Sequence, residues 1–126
     1  MLLEARLALL LQRVKGGPAA LDPGETLAMA TRGGARLLGR SELGSLAPGQ
    51  AADFVGVDLR RRELAGAQCD PVAALVLCVV PTVDLSVING RVRVRAGELI
   101  GFDWAAAVRE HNARAAELLE RTGVRA

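Results

Sequence analysis

The chain has 126 residues, of which 51% are hydrophobic and 24% are charged, and this indicates one globular domain or a piece of one. It contains one His, two Cys and only 2% aromatic residues. A structural zinc module needs about four Cys or His ligands, and a stacking reader of single-stranded nucleic acid needs several aromatic rings, so both classes are excluded. Sixteen Lys and Arg against 14 Asp and Glu give a net charge of +2, too small for a dedicated nucleic-acid binder.

The first residues and the cysteines indicate the compartment. Residues 1–6 carry charge at Glu4 and Arg6, where a secretory signal peptide would be apolar, and no stretch approaches the ~20 apolar residues of a membrane span. Without a leader, Cys69 and Cys78 are expected to be reduced thiols. We therefore expect a cytoplasmic protein that interacts with neither membranes nor nucleic acid.

The first predicted element is an amphipathic helix over residues 2–15. Its apolar stripe consists of residues at helical spacing, namely Leu3, Leu7, Leu10, Leu11 and Val14. Leu2 and Leu9 widen the apolar surface beyond this stripe, and no Ser, Thr, Asp or Asn precedes the helix as a cap. A helix that is apolar on most sides is typical of an element inside a larger body.

The next segment predicts two short helices. Residues 22–25, Asp-Pro-Gly-Glu, combine an N-cap, a proline at the first helical position and a glutamate three residues after the cap. We expect Gly33 and Gly34 to interrupt the helix that follows, so that two helices pack around a turn. Gly39 is expected to end this unit.

From residue 43 the hydrophobic pattern changes to a period of two. Residues 43–50 predict a short strand with a turn at Pro48-Gly49, and residues 52–59 predict another strand. Further along the chain, Asn89-Gly90 is a strong hairpin signal between predicted strands at residues 83–88 and 91–95, after which a turn leads into Leu99 and Ile100. These few short strands predict a sheet with open edges and one face that carries arginines.

Two more helices are predicted around these strands. Asp70 and Pro71 repeat the cap-then-proline start before a short apolar helix over residues 72–79. Asp103 caps the last helix, over residues 104–121. Its inner face is expected to contain Trp104, Val108, His111, Ala115 and Leu118 or Leu119.

Few side chains in this sequence suggest chemistry. His111 is the single imidazole, but its place on the apolar face of the last helix favours packing or a helix-helix hydrogen bond over a role as base or metal ligand. Cys78 lies in an apolar run and is expected in the core. Cys69 precedes a helix cap, where a reactive thiolate is the less favoured alternative.

Two groups of arginines could bind phosphate. Arg91, Arg93 and Arg95 alternate along one strand, and residues 60–62 form an arginine cluster in a loop. The small net charge favours the simpler interpretation, a solvated strand face and a polar turn. The residues by themselves thus indicate no catalytic residue and no metal ligand, and they leave the substrate-binding residues unknown.

Several segments resemble the carboxy-terminal part of metal-dependent amidohydrolases. Residues 44–55, GSLAPGQAADFV, resemble the turn and strand that follow the barrel in these enzymes, and residues 87–92, VINGRV, resemble their late hairpin. The resemblance is to the branch that contains chlorohydrolases and cytosine and guanine-type deaminases, and within it the sequence is most similar to the 8-oxoguanine deaminases. Three further segments point to this branch: ATRGGARLLG at residues 30–39, DPVAALV at residues 70–76 and Glu110-His111-Asn112.

The resemblance implies an α+β fragment of a (β/α)₈ amidohydrolase. Residues 1–39 would be the last helices of the barrel, residues 40–101 part of its small β-sandwich with an inserted short helix, and residues 102–126 a carboxy-terminal helix. The family holds one divalent metal, Zn or Fe, through a His-x-His pair, two further His and an Asp. This chain has no His-x-His pair, so we expect no catalytic residue, metal ligand or cofactor within it.

The function that the resemblance implies is hydrolysis of C–N bonds, namely deamination of a purine- or triazine-like ring. We expect the chain to be a fragment, inactive alone, that associates with itself or with the missing amino-terminal part of the enzyme. One alternative is a free-standing structural module that oligomerises without enzyme activity. Another is half of a split enzyme, whose partner chain supplies the metal ligands.

Overall fold

The computed structural model describes residues 1–123 as a mixed α and β structure. The helices are α1 (Leu2–Gly16), α2 (Pro23–Ala28), α3 (Gly34–Leu37), α4 (Pro71–Leu77) and α5 (Trp104–Thr122). A π-helical segment, Met29–Gly33, joins α2 to α3, and a 3-10 turn is formed by Arg62–Leu64. The strands are β1 (Phe54–Gly56), β2 (Leu85–Ile88), β3 (Arg91–Arg95) and β4 (Glu98–Leu99).

The predicted helix starts are confirmed. At α2, the Asp22 carboxylate accepts from the Glu25 N–H at 2.9 Å and the Glu25 carboxylate accepts from the Asp22 N–H at 3.1 Å, which is a capping box. Asp70 and Asp103 are simple N-caps of α4 and α5, each accepting a backbone N–H at 2.9 Å. α1 begins without a side-chain cap, as its sequence predicts.

The expected break at Gly33 and Gly34 is wrong. Both glycines have helical dihedral angles, with φ of −63° and −59°, and helical backbone continues from Pro23 to Leu37. A glycine inside a helix costs only about 1 kcal/mol relative to alanine, so packing can hold it there. The glycines coincide instead with the π-helical turn, which accommodates a local change in winding without ending the helix. Gly39, with φ of 66°, does follow the end of the unit.

The strands form one antiparallel sheet in the order β1-β2-β3-β4. Asn89 and Gly90 both have positive φ, 50° and 70°, as a two-residue type I′ hairpin requires. The Asp53 carboxylate accepts the Asn89 N–H at 2.7 Å and so ties the start of β1 to this hairpin. The predicted hairpin is therefore confirmed.

The strand predicted at residues 43–50 is wrong. This segment consists of turns and bends, and the predicted turn at Pro48-Gly49 is present, closed by a hydrogen bond from the Gln50 N–H to the Ala47 carbonyl at 3.0 Å. Gly44 instead packs closely against the π-helical segment. A Cβ placed on Gly44 would lie only 2.9 Å from the Arg32 Cα. Tertiary contact with the helix thus overrides the period-two pattern, and only Phe54–Gly56 of the strand predicted at residues 52–59 is paired.

The core lies between α1, α2 and α4. Its fully buried side chains come from these helices and from the 3-10 turn: Leu9, Thr26, Leu64 and Val76. The Thr26 hydroxyl donates to the Asp22 carbonyl at 2.8 Å, so this buried polar group is satisfied. Ala5, Ala35 and Ala74 are also buried, which lets the helices approach closely.

The apolar stripe that the sequence predicts for α1 faces away from this core. Leu9 is fully buried, whereas Leu3, Leu7 and Val14 are 71%, 52% and 84% exposed. Amphipathic helices ordinarily turn their largest apolar stripe inward. α1 therefore has two apolar faces, one in the core of this structure and one open.

The inner face predicted for the last helix is also not buried. α5 forms over the predicted residues, but none of its residues is buried, and Trp104 and Val108 are more than half exposed. Trp104 packs edge-on against Phe102, with ring centroids 4.8 Å apart. The periodicity predicted the helix correctly, but the described elements bury no part of its apolar face.

None of the helices within residues 1–123 combines the length and apolar character that a bilayer crossing needs.

Candidate functional site

A partly buried charged cluster connects the loop after β1 with the start of β2. The Arg61 guanidinium binds the Asp84 carboxylate at two points, Nη2 to Oδ1 at 2.7 Å and Nε to Oδ2 at 3.0 Å. Asp84 Oδ2 also accepts the Asp58 N–H at 2.6 Å, and Arg61 Nη2 donates to the Thr82 hydroxyl at 3.4 Å. The Arg61 and Asp84 side chains are 19% and 30% exposed.

The electrostatics of the cluster follow from these bonds. Hydrogen bonds from Arg61, and then from the Asp58 N–H, hold the pKa of Asp84 below its ordinary value. Hydrogen bonds from the Arg60 side chain and backbone lower the pKa of Asp58 to about 2. Both carboxylates are therefore ionised and already paired near neutral pH. This arrangement fixes a loop and leaves neither group suited to proton transfer.

The pairing settles the role of the arginine loop. Arg60 binds Asp58, Arg61 binds Asp84 and Arg62 binds Glu63, so each guanidinium is neutralised by a carboxylate. The alternative of phosphate binding at residues 60–62 is thus not supported. Sequence reasoning missed the Arg61–Asp84 pair, because nothing in the pattern links positions 23 residues apart.

The strand arginines match the simpler interpretation. Arg91, Arg93 and Arg95 are exposed along β3, while Val92 and Val94 between them are partly covered. This is the alternation of a sheet with one solvated face. The three side chains are a solvated strand surface, as the small net charge favours.

The remaining candidates lie apart from one another. His111 is exposed on α5, so the expected packing or helix-helix contact is wrong for the residues described. Cys69 is exposed and Cys78 is half-buried, and both are free thiols. Within residues 1–123, no three His, Cys, Asp or Glu side chains are grouped so that they could hold a metal ion.

An open groove of about 630 Å³ lies along α2, the π-helical segment and α3. Arg32 and Arg36 lie one helical turn apart along it, and Arg40, beyond the end of α3, is paired with Glu42. The remaining lining is mostly small or apolar: Glu25, Ala28, Met29, Ala35, Ser41, Leu43 and Ser45. The Glu25 carboxylate in this lining accepts the Asp22 N–H at 3.1 Å and so belongs to the capping box of α2.

The family is decided by comparison with known proteins. The sequence profile described as the amidohydrolase family matches residues 1–93. The chain belongs to the amidohydrolase family. The resemblance carried by the segments at residues 30–39, 44–55, 70–76 and 87–92 is thereby confirmed.

Individual relatives extend the match over nearly the whole chain. The 8-oxoguanine deaminase of Pseudomonas aeruginosa is 44% identical over 119 residues, which cover 94% of this chain and 26% of that protein. An adenosine deaminase structure from Xanthomonas campestris with bound zinc matches with a TM-score of 0.84 and 36% identity, over 97% of this chain and 28% of that one. Atrazine chlorohydrolase from Arthrobacter aurescens TC1, complexed with zinc, matches with a TM-score of 0.81 and 34% identity, over 90% and 26%.

This amidohydrolase chain therefore spans about a quarter of the length of the relatives it matches. The two solved relatives hold zinc. Residues 1–123 do not fit that metal, since His111 is the single imidazole and lies exposed on α5, and no metal-binding group is present among them. The predicted division at residues 39/40 and 101/102 stays a prediction, and its last three residues lie outside those described.

Proposed function

We propose that this chain is the carboxy-terminal portion of an amidohydrolase that hydrolyses C–N bonds, deaminating a purine- or triazine-like ring. The observation that carries the proposal is the 44% identity to an 8-oxoguanine deaminase across 94% of the chain. The match to a chlorohydrolase of atrazine supports the wider choice of a nitrogen-rich aromatic ring.

Within such an enzyme, the role of this chain is to support the fold. The helices around Leu9 and Val76 form a core of their own, and the paired Arg61 and Asp84 attach the loop after β1 to the start of β2. The described residues provide no zinc ligand set, so the metal and the reacting groups would come from other polypeptide. The second, open apolar face of α1 supports burial against such polypeptide.

The first experiment tests whether the chain acts alone. The purified chain, loaded with excess zinc and then dialysed, is assayed for bound metal by mass spectrometry and for ammonia release from 8-oxoguanine and aminotriazines. We expect neither stoichiometric zinc nor ammonia. Ammonia release by the chain without a partner would refute the proposal that catalysis needs other polypeptide.

The second experiment tests the family function directly. This chain replaces the matched 119-residue segment of the Pseudomonas aeruginosa 8-oxoguanine deaminase, and the chimera is compared with the parent enzyme and with a version that lacks the segment. We expect the chimera to bind zinc and release ammonia, and the shortened version to do neither. A folded, zinc-loaded chimera that is inactive on every ring tested would contradict the proposed reaction.

A further inference from the structure

We propose that Asn89 is a deamidation site that the folded hairpin protects, so that its conversion to an acid reports opening of the turn between β2 and β3. The inference goes beyond the proposed function, because it concerns the hairpin alone and needs no metal, ring substrate or other polypeptide. The hairpin strands, their turn and the residue that holds the turn all lie within the described chain.

The reaction uses the chain's own atoms and water. A bond forms between the Gly90 backbone nitrogen and the side-chain carbonyl carbon of Asn89, and the bond from that carbon to Nδ2 breaks. The proton of the Gly90 nitrogen leaves with Nδ2 as ammonia, which produces a five-membered succinimide ring. Water then opens the ring at either carbonyl and leaves an aspartate or an isoaspartate at position 89.

The sequence favours this reaction at one of its two asparagines. Asn89 is followed by a glycine, which has no Cβ to hinder the approach of its nitrogen. Asn112 is followed by Ala113 inside α5, where backbone N–H groups belong to the helical hydrogen-bond ladder. Asn112 is therefore an internal control for Asn89.

The folded turn holds the two reacting atoms apart. Asn89 and Gly90 have φ of 50° and 70°, both in the left-handed region. This region has a ψ of about 47°, and at that ψ the Gly90 nitrogen lies opposite the Asn89 Cβ across the Cα–C bond. Ring closure needs both on the same side, so ψ has to rotate by roughly half a revolution. This rotation disrupts the turn and the adjacent pairing of Ile88 with Arg91.

Asp53 holds the turn closed from outside the hairpin. Its carboxylate accepts the Asn89 N–H at 2.7 Å and ties the turn to the start of β1. A hydrogen bond from a backbone N–H to a carboxylate is stronger than one between neutral groups. Because the turn is held both by this bond and by the strand pairing, Asn89 reacts only in the fraction of chains whose turn is open.

The products do not restore the original hairpin. Isoaspartate adds one methylene to the backbone, which does not fit a two-residue turn between Ile88 and Arg91. Aspartate keeps the backbone but places a second carboxylate beside Asp53, where two like charges repel each other. Either product therefore weakens the hairpin, and the change is irreversible.

Peptide mapping by mass spectrometry tests the proposal on the full chain. The folded chain and the chain in guanidinium are incubated at the same pH and temperature, and conversion of amide to acid is followed at Asn89 and Asn112. We expect Asn89 to convert in guanidinium and roughly 100-fold more slowly in the folded chain. Equal rates at Asn89 in the two conditions would overturn the proposal, and so would an Asn89 that reacts no faster than Asn112 in guanidinium.

Removal of the Asp53 carboxylate tests whether the turn controls the rate. In folded Asp53→Ala, Asn89 should convert about tenfold faster than in the wild type, because a hydrogen bond to a charged group is lost. Its rate in guanidinium should not change, since residue 53 is remote from the reacting atoms in the unfolded chain. Asp53→Asn keeps an acceptor oxygen and should give an intermediate rate.

Glu110→Ala is the matched control, because it also removes one carboxylate but from the exposed surface of α5. It should leave the rate at Asn89 unchanged, and circular dichroism verifies that each variant is folded. A folded Asp53→Ala chain with the wild-type rate at Asn89 would overturn the protective role of the turn. The comparison of folded and denatured wild type needs no variant.

These outcomes are separate from those of the proposed function. Conversion of Asn89 is measured as a mass change at one residue, whereas the chimera is assayed with an added ring substrate. An unprotected Asn89 leaves the proposed reaction of the enzyme standing. Conversely, an inactive chimera leaves the protection of Asn89 by its turn standing.

Discussion

Arg61 and Asp84 are 23 residues apart in the chain and form a two-point ion pair, at 2.7 and 3.0 Å, that holds the loop after β1 against the start of β2. A planar guanidinium that binds both oxygens of one carboxylate fixes orientation as well as distance. The Arg61 side chain is 19% exposed, whereas the paired arginines at positions 40, 60 and 62 are 55% to 92% exposed. Because solvent screens this pair less, we expect it to make a measurable contribution to stability.

Removing this pair should lower thermal stability. We expect Arg61→Ala to lower Tm by several degrees and Arg61→Lys to recover only part of the loss, because an ammonium cannot bind both oxygens in the same plane. Arg62→Ala is the matched control, since Arg62 is 92% exposed and paired with the adjacent Glu63. Equal Tm values for the Arg61 and Arg62 variants in thermal melts would show that the Arg61–Asp84 pair is unimportant.

Stability should also decrease at acid pH through the same cluster. The pKa of Asp58 falls from 3.8 to about 2 on folding, and that of Asp84 is also lowered. A lowered pKa in the folded state stabilises the fold above the unfolded pKa, and this stabilisation is lost as pH falls through the folded one. The contribution of Asp58 is thus complete above about pH 4 and fades toward pH 2.

Thermal melts of the wild type and Asp58→Asn across this pH range would measure the effect. The difference in Tm should be largest near neutral pH and should shrink as the wild-type carboxylates become protonated. Because the groups are partly exposed, salt should reduce the difference. A difference in Tm that is constant from about pH 7 to about pH 2 would assign it to packing.

At Gly44, both the backbone conformation and the surrounding atoms oppose a side chain. Its φ is 89°, and an added Cβ would lie 2.9 Å from the Arg32 Cα and 3.0 Å from the Thr31 carbonyl oxygen. Gly49 has a similar φ of 84° with open space around it, so it isolates the backbone strain. We expect Gly49→Ala to cost about 1–2 kcal/mol and Gly44→Ala clearly more, measured by urea unfolding. Equal costs would mean that the loop moves away from the helix.

The direction in which α1 faces is tested by truncating one buried leucine and one exposed leucine. Leu9 is fully buried, so Leu9→Ala should lower the free energy of unfolding by about 2–5 kcal/mol. Leu37→Ala is the control, because Leu37 is 91% exposed and its truncation should change the free energy by less than about 0.5 kcal/mol. Chemical denaturation measures the free energy of unfolding of both variants. A small change for Leu9→Ala would mean that Leu9 does not lie in the core.

Caps and hairpin were predictable because their signals are local. Asp22, Asp70 and Asp103 accept hydrogen bonds from residues three positions later, and Asn89-Gly90 closes its turn within a few residues. The prediction of a break at Gly33-Gly34 was wrong because the helix penalty of glycine is only about 1 kcal/mol. Packing contacts that the sequence does not show can outweigh it. The charged cluster could not be predicted, since its partners come from separate segments of the chain.

The sequence by itself determined where the helices and the hairpin form and, through its motifs, the family to which the chain belongs. Only the tertiary structure decided which side of α1 enters the core, that Asp84 is the partner of Arg61, and that α5 has no buried residue. Periodicity defines an apolar stripe without naming the surface that covers it. That choice depends on the elements present to pack against it, and here α1 contacts α2 and α4, Leu9 is buried, and Leu3, Leu7 and Val14 remain exposed.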